Sequence, residues 1–190
     1  MKNKKPENEV SRMSRNPFKT LSEHEVQKLL RSTTNLKHKC ILTLIYATGI
    51  RNTELTHLKL EDVDVMQNLI LIRGKQGQQT RVVMVVPRAM YLIRQYFLKY
   101  KPHLYVFENP DGERYSISSF QQVFSRALER SGLDKNVTLN SLRMSLLENL
   151  KYRGKKIRHV GELMTYDHVV REPDMRQLYF DRLNRSLSNL

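Results

Sequence analysis

An apolar stretch that contains a single arginine constrains the fold of this chain more than any other feature. Residues 44–64 read LIYATGIRNTELTHLKLEDVD, and a Gly-Ile-Arg step beginning at Gly49 interrupts the apolar pattern. Arg51 therefore stands among residues that form a core. Because a buried arginine needs an opposing charge, we expect Arg51 to pair with Glu54 or Asp62, or to face a cleft that binds an anion.

The charge balance suggests a polyanionic partner. Lys and Arg number 33 against 19 Asp and Glu, which gives a net charge of +14. Such an excess is typical of nucleic-acid binding, and attraction to RNA or to an acidic membrane surface by charge alone is the competing interpretation. The length and the 39% hydrophobic content suit one domain with a real core.

No feature of the sequence indicates a membrane span, a secretion signal or a cofactor. No apolar run approaches the roughly 20 residues that a bilayer-spanning helix needs, and the start MKNKKPENEV is polar. The lone Cys40 excludes an intrachain disulfide and a cysteine metal pair. We therefore predict a soluble, cytoplasmic protein with no metal site, no cofactor and no membrane partner.

Helical spacing dominates the chain after a basic arm over residues 1–19. Ser22 followed by Glu25 is a capping-box pattern and predicts the start of the first helix. Gly49 is expected to end the second helix, and Pro87 to begin the fourth. The predicted helices are 22–31, 36–47, 53–58, 87–97, 120–131, 140–153, 157–164 and 175–187.

The period changes to that of extended chain between residues 63 and 86. The runs LILIRG and RVVMVV predict a β-hairpin with a polar, basic tip over residues 75–80. Residues 105–107 are expected to add a third strand, closed by a turn at 109–112. The predicted class is α+β, mainly α, with one small antiparallel sheet of three strands.

Three motifs in this order match boxes of a known family. ATGIRNTELTHLKLEDVD (47–64) is similar to ATGLR-x-SEL-x-x-L-x-x-x-DID, and IRGKQGQQTRVVMV (72–85) is similar to a hairpin of the form GKG-x-KER-x-VPL. TLNSLRMSLLENLKYRG (138–154) is similar to TPHxLRHSFATHLLENG. On these motifs the chain resembles the tyrosine recombinases, also called phage integrases, over residues 20–180.

The resemblance implies a helical catalytic domain in which a tyrosine hydroxyl attacks a DNA phosphodiester and forms a 3′-phosphotyrosyl link. It implies that Arg51 and Arg143 bind the phosphate, that Lys75 protonates the 5′-oxygen leaving group and that Tyr179 is the nucleophile. Two forked guanidinium groups suit a transition state that spreads charge over the non-bridging oxygens. The ordinary alternatives are a helix-surface charge for Arg143, a hairpin-tip lysine for Lys75 and a core aromatic for Tyr179.

The chain departs from the family pattern at two boxes. Asn140 stands where the family has histidine, and an amide can donate a hydrogen bond to phosphate but cannot exchange a proton near neutral pH. The family has an LGH or LGW box after the arginine motif. The alignment places Tyr166 at the third position of that box, and His168 lies two residues further on. The gap from Arg143 to Tyr179 is also longer than expected, so Tyr166 remains an alternative nucleophile. A catalytically impaired DNA-binding relative is the alternative function.

The ends of the chain bear on assembly. Family members usually carry a helical domain before the catalytic one, so the 1–19 arm suggests a short-form recombinase or a fragment. We expect a catalytic domain over 20–180 that acts on double-stranded DNA of a mobile element as a dimer or tetramer. The 181–190 tail carries an apolar stripe, which predicts that it folds back on its own domain or docks on a neighbouring copy: Leu183, Leu187 and Leu190.

Overall fold

The fold is built from six helices and a small sheet in the part of the chain that the structure describes. A computed structural model describes residues 19–74, 80–133 and 136–150, together with Asp181, Leu183 and Leu187. The elements, in chain order, are α1 (Glu23–Ser32), α2 (Leu36–Thr48), α3 (Asn52–Leu55), a 3₁₀ turn (Leu60–Asp62), β1 (Val63–Asp64), β2 (Leu69–Ile72), β3 (Arg81–Met84), α4 (Pro87–Tyr100), α5 (Ile117–Ser131) and α6 (Leu139–Leu150). This composition confirms the predicted class.

Helix α2 lies at the centre of the core. Every residue from Cys40 to Thr48 is buried, and the helix packs against α1, α4, α5 and α6. Burial on all sides explains why its sequence is a continuous apolar run rather than an amphipathic pattern. Gly49 ends the helix with a φ of 61°, a left-handed conformation that glycine adopts without steric cost. The chain then turns sharply toward α3, as the sequence predicts.

Helix α1 begins with the capping box expected from its sequence. The Ser22 amide donates to the Glu25 carboxylate at 2.7 Å, and the Glu25 amide donates to the Ser22 hydroxyl at 3.3 Å. These bonds satisfy amide groups that a helix start otherwise leaves unpaired. Val26, Leu29 and Leu30 then bury one face of α1 in the core.

Two hydrogen bonds join the start of the described fold to helix α6. The Leu21 amide donates to the Ser145 hydroxyl at 2.8 Å, and the Asn149 side-chain amide donates to the Leu21 carbonyl at 3.3 Å. Leu21 is buried, as is Ser145. The beginning of the domain and the last long helix described are therefore fastened together by polar contacts inside the core.

The sheet has the antiparallel order β1-β2-β3. Strands β2 and β3 pair with Ile70 opposite Val83 and with Ile72 opposite Arg81, which confirms the predicted hairpin. The prediction of a third strand at 105–107 was wrong, because the third strand of the sheet is β1, which pairs with β2. Tyr105 forms only an isolated bridge with Lys59. Residues 63–64 are too short for a periodic pattern, so their pairing is not visible in the sequence.

Helix bounds differ from the sequence prediction in α3, α4 and α5. Helix α4 continues to Tyr100 rather than ending at residue 97. Helix α3 ends at Leu55 rather than at residue 58, and α5 begins at Ile117, where the Ser116 hydroxyl caps it. Tyr91 of α4 is 61% exposed. The predicted helix at 157–164 lies outside the described residues.

The C-terminal stripe is represented by two of its three leucines. Leu183 and Leu187 have no exposed surface and belong to the buried core of the single chain. The Leu187 amide donates to the Leu183 carbonyl at 2.9 Å, as in a helical turn. Docking of the tail on a neighbouring copy stays a prediction.

None of the helices among the described residues has the length and apolar character needed to cross a bilayer. Within the same residues, His, Cys, Asp and Glu form no group of three or more with the spacing of a metal site.

Candidate active site

Arg51 lies in the turn between α2 and α3. Its backbone amide donates to the Glu54 carboxylate at 2.8 Å, which caps the short helix α3. The Arg51 side chain is 49% exposed, and its Nη1 atom lies 3.6 Å from Oε1 of Glu54. Of the two acidic partners predicted for Arg51, Glu54 is therefore the one in contact.

Asp62, the second predicted partner, pairs with a different arginine. The Asp62 carboxylate is buried and accepts a 2.7 Å hydrogen bond from Nε of Arg73, which directly follows β2. This contact fastens the 3₁₀ turn to the end of the strand. Asp62 therefore contributes to the scaffold beside the hairpin.

Arg81 is the principal partner of Glu54. Its Nη1 and Nη2 atoms donate to Oε1 and Oε2 of Glu54 at 2.7 and 2.9 Å, which is a bidentate pair. Both groups are nearly buried, with side-chain exposures of 12% for Arg81 and 4% for Glu54. Burial alone raises the pKa of Glu54, but the hydrogen bonds and positive charges of Arg81 and Arg51 outweigh it and lower that pKa.

Arg143, on helix α6, lies within electrostatic range of Arg51, Glu54 and Arg81. Its Nε atom donates to the Gly49 carbonyl at 2.6 Å, so the C-terminal end of α2 fixes the position of its guanidinium. Burial lowers the pKa of Arg143, and the charges of Arg51 and Arg81 lower it further, against an opposing effect of Glu54. We call Arg51, Arg81, Arg143 and Glu54 the arginine cluster.

The arginine cluster has an excess of positive charge. The cluster contains three guanidinium groups and one carboxylate, and after burial the charges of Arg51 and Arg81 further lower the pKa of Arg143. A bound anion would offset this positive charge, because opposite charges at short range in a partly buried site attract strongly. Forked guanidinium donors match the oxygens of a phosphate.

Asn140 lies in the first turn of α6, beside a cleft of about 520 Å³. The Asn140 side chain is half-buried, and Asn52, the residue after Arg51, lines the same cleft. Helix α5 forms another wall through Gln121, Phe124, Ser125, Leu128 and Glu129. Asn140 and Asn52 thus line one cleft, and each is close in the chain to a member of the arginine cluster: Asn52 follows Arg51, and Asn140 stands three positions before Arg143 on α6.

Four predicted site residues lie outside the described residues: Lys75, Tyr166, His168 and Tyr179. The described ends of the hairpin connection are joined by a 3.0 Å hydrogen bond from the Gly74 amide to the Thr80 hydroxyl. Gly74 immediately precedes Lys75 in the sequence, and Thr80 immediately precedes Arg81. The roles of the four residues stay predictions.

Comparison with known proteins settles the family. The model of the phage integrase family matches residues 19–172, which is most of the chain. The chain belongs to the phage integrase family. Its curated relatives include tyrosine recombinase XerA of Pyrococcus horikoshii, 32% identical over 155 residues that cover 80% of this chain and 54% of the relative. Tyrosine recombinase XerD of Mycobacterium tuberculosis is 32% identical over 173 residues, covering 82% of this chain and 55% of the relative.

Solved structures of the family share the fold. The crystal structure of XerA recombinase matches with a TM-score of 0.70 and 21% identity over 90% of this chain and 62% of that one. XerH site-specific recombinase, solved with its palindromic difH substrate after cleavage, matches with a TM-score of 0.63 and 21% identity, over 90% of this chain and 52% of that one. This chain spans about half the length of the curated relatives that it matches.

Arg81 is the member of the arginine cluster that sequence reasoning missed. It lies 27 positions from Glu54, in an otherwise apolar run, and the i, i+3 spacing of Arg51 and Glu54 suggested a complete local pair. The available signal was its position as the charged residue at the start of RVVMVV, opposite the end of β2. A charge at that point in a half-buried hairpin requires a partner.

Proposed function

We propose that this phage integrase family member is the catalytic part of a site-specific DNA recombinase. It binds double-stranded DNA, breaks a strand through a 3′-phosphotyrosyl intermediate and rejoins it to another strand. The observation that carries the proposal is the arginine cluster, in which Arg51 and Arg143 converge with one carboxylate that Arg81 already engages. Three guanidinium groups near one carboxylate suit the negative charge of a phosphodiester.

The proposed reaction assigns each group a step. Arg51 and Arg143 bind the non-bridging oxygens, and the Asn140 amide donates a further hydrogen bond to one of them. The Tyr179 hydroxyl loses its proton to water, and its oxygen forms a bond to phosphorus. The bond from phosphorus to the 5′-oxygen breaks as Lys75 protonates that oxygen. A 5′-hydroxyl of a second strand then gives its proton to the neutral Lys75 as its oxygen bonds to phosphorus. The bond from phosphorus to the Tyr179 oxygen breaks, and that oxygen takes up a proton from water.

Assembly and location follow from the same proposal. Strand exchange requires at least two cleaved strands, so the protein acts as a dimer or tetramer on DNA, in the cytoplasm at the nucleoid. The net charge of +14 supports a large electrostatic contribution to DNA binding.

A covalent trap tests the proposal. Duplexes that bind the protein are first selected from a randomised pool. Each is then nicked close to a candidate cleavage position, so that the short fragment carrying the released 5′-hydroxyl diffuses away after cleavage and cannot be rejoined. We expect a DNA adduct that survives denaturation and is absent in Tyr179→Phe. Peptide mapping of the adduct identifies the nucleophile: an adduct on Tyr166 would refute the assignment to Tyr179.

Position 140 separates full activity from impairment. Asn140→His should raise the rate of adduct formation if the loss of proton transfer limits the native protein, by up to about 10²-fold. Selective DNA binding without any adduct, in both the native protein and Asn140→His, would favour the catalytically impaired relative. An unchanged rate of adduct formation would show that position 140 is not limiting.

A further inference from the structure

Two arginines compete for the single carboxylate of Glu54. Both carboxylate oxygens accept short hydrogen bonds from Arg81, at 2.7 and 2.9 Å, and Oε2 also accepts the Arg51 backbone amide at 2.8 Å. The Arg51 guanidinium stands farther away, at 3.6 Å from Oε1. The strong bidentate contact of the carboxylate therefore goes to the distant arginine and not to the neighbour three positions away.

The local alternative is readily accessible to the chain. An arginine and a glutamate at i and i+3 lie close enough for an ion pair, and Glu54 already bonds the Arg51 backbone. Without Arg81, the buried carboxylate would have to find another cation, because an uncompensated buried charge is strongly unfavourable. The Arg51 guanidinium is the adjacent cation, and a bidentate contact with Glu54 would turn it inward, away from its half-exposed position.

We propose that Arg81 is a positioning residue that occupies Glu54 and thereby keeps the Arg51 guanidinium directed toward the scissile phosphate. The inference rests on the proposed role of Arg51 in phosphate binding. Arg81 begins β3, and it stands opposite Ile72 at the end of β2. Glu54 therefore links two parts of the fold. Its carboxylate contacts Arg81 at the start of β3 and the backbone amide of Arg51 in the turn between α2 and α3.

A purely structural ion pair makes a different prediction. If the pair only stabilises the fold, removing Arg81 lowers stability, and removing Glu54 as well leaves catalysis no better. If Arg81 occupies Glu54, the harm done by removing Arg81 comes from the liberated carboxylate. Removing that carboxylate in the same molecule then restores catalysis. The double variant Glu54→Gln/Arg81→Met discriminates between the two, since it carries no buried charge at either position.

The experiment measures single-turnover formation of the covalent adduct at saturating nicked DNA, together with the dissociation constant of the same duplex. We expect Arg81→Met to slow adduct formation by about 10- to 100-fold while DNA affinity changes less than about threefold. Glu54→Gln/Arg81→Met should recover at least about fivefold of that loss, and Arg81→Lys, with a single point of contact, should lie between native and Arg81→Met.

Arg73→Met is the matched control, because Arg73 also bonds a buried carboxylate, that of Asp62, outside the arginine cluster. It should lower stability without slowing adduct formation more than about threefold. Native adduct rates in Arg81→Met, or a double variant no faster than Arg81→Met, would overturn the inference.

A second measurement does not depend on catalysis. An arginine-specific dicarbonyl reagent, followed by peptide mapping, reports how readily the Arg51 guanidinium reacts in the folded protein. We expect Arg81→Met to slow labelling of Arg51 about fivefold, because a bidentate pair with Glu54 holds the guanidinium charged and covered, and the double variant to restore it. Unchanged labelling of Arg51 would overturn the inference. Absence of any adduct in the native protein would instead overturn the proposed function, with the labelling still deciding the role of Arg81.

Discussion

Replacement of Glu54 by glutamine should destabilise the protein in a pH-dependent manner. Glutamine keeps the shape of the side chain and can still accept from the Arg51 amide, but it leaves the nearly buried Arg81 without its counter-ion. Loss of one partner of a buried pair costs about 3–5 kcal/mol, and the retained contacts reduce this to about 2–4 kcal/mol at pH 7. The melting temperature should fall by about 5–15 °C.

The sign of the pH dependence follows from the lowered pKa of Glu54 in the folded state. The contribution of the carboxylate is complete above its unfolded pKa of about 4.3 and is lost as the pH falls through the lower, folded value. Urea unfolding of native protein and Glu54→Gln should therefore give a constant difference in unfolding free energy from pH 7 to about pH 5. That difference should shrink at more acidic pH.

Glu61→Gln is the control for this measurement. The Glu61 side chain is 62% exposed and lies 3.5 Å from both Lys59 and Arg73, so its pairs are screened by solvent. Replacement of Glu61 by glutamine should lower the unfolding free energy by less than about 1 kcal/mol, both at pH 7 and at acidic pH. A Glu54→Gln variant within about 1 kcal/mol of native at pH 7, or a difference that persists unchanged below about pH 3.5, would refute the reasoning.

Three further predictions concern catalysis, binding and the tail. Arg143→Lys should slow covalent adduct formation by about 10²- to 10³-fold, because a lysine ammonium cannot bond the Gly49 carbonyl and the phosphate at the same time, as the several donors of a guanidinium can. A rate within about threefold of native would contradict this prediction. The logarithm of DNA affinity should fall against log salt with a slope of about 0.9 per neutralised phosphate, and titration of a labelled duplex tests for a flat response. Leu187→Asp should lower the unfolding free energy of the monomer by more than about 3 kcal/mol, because the side chain is fully buried. Unchanged melting with loss of assembly on two-site DNA would instead indicate that the tail docks on a neighbouring copy.

Features governed by neighbouring residues were predictable from the sequence. The capping box of α1, the glycine that ends α2 and the hairpin all follow from contacts within a few positions, and each was confirmed. The convergence of Arg51 and Arg143 was predictable only through the family resemblance, since 92 positions separate them in the printed sequence. Periodicity contains no information about which distant side chains meet.

The errors come from contacts between distant segments. The third strand was predicted at 105–107, whereas residues 63–64 pair with β2 instead. A strand of two residues is too short to show an alternating pattern in the sequence. The contact of Arg51 with Glu54 was correctly predicted. Arg81, which makes the bidentate pair with Glu54, was missed because 27 positions separate the two residues. Competition among several possible partners is decided by the folded geometry, which local rules do not contain.

The polar fastening between Leu21 and α6 has a consequence for how the domain opens. Leu21 bonds Ser145 and Asn149, and Arg143 lies on the same helix, less than one turn before Ser145. Exchange of the Leu21 amide with deuterated solvent requires rupture of its bond to Ser145. We therefore expect that amide to exchange together with those of α6, as one cooperative unit, although 124 positions separate the bonded residues. A fluctuation that releases the first residues of the fold would then also loosen the helix on which a phosphate-binding arginine stands.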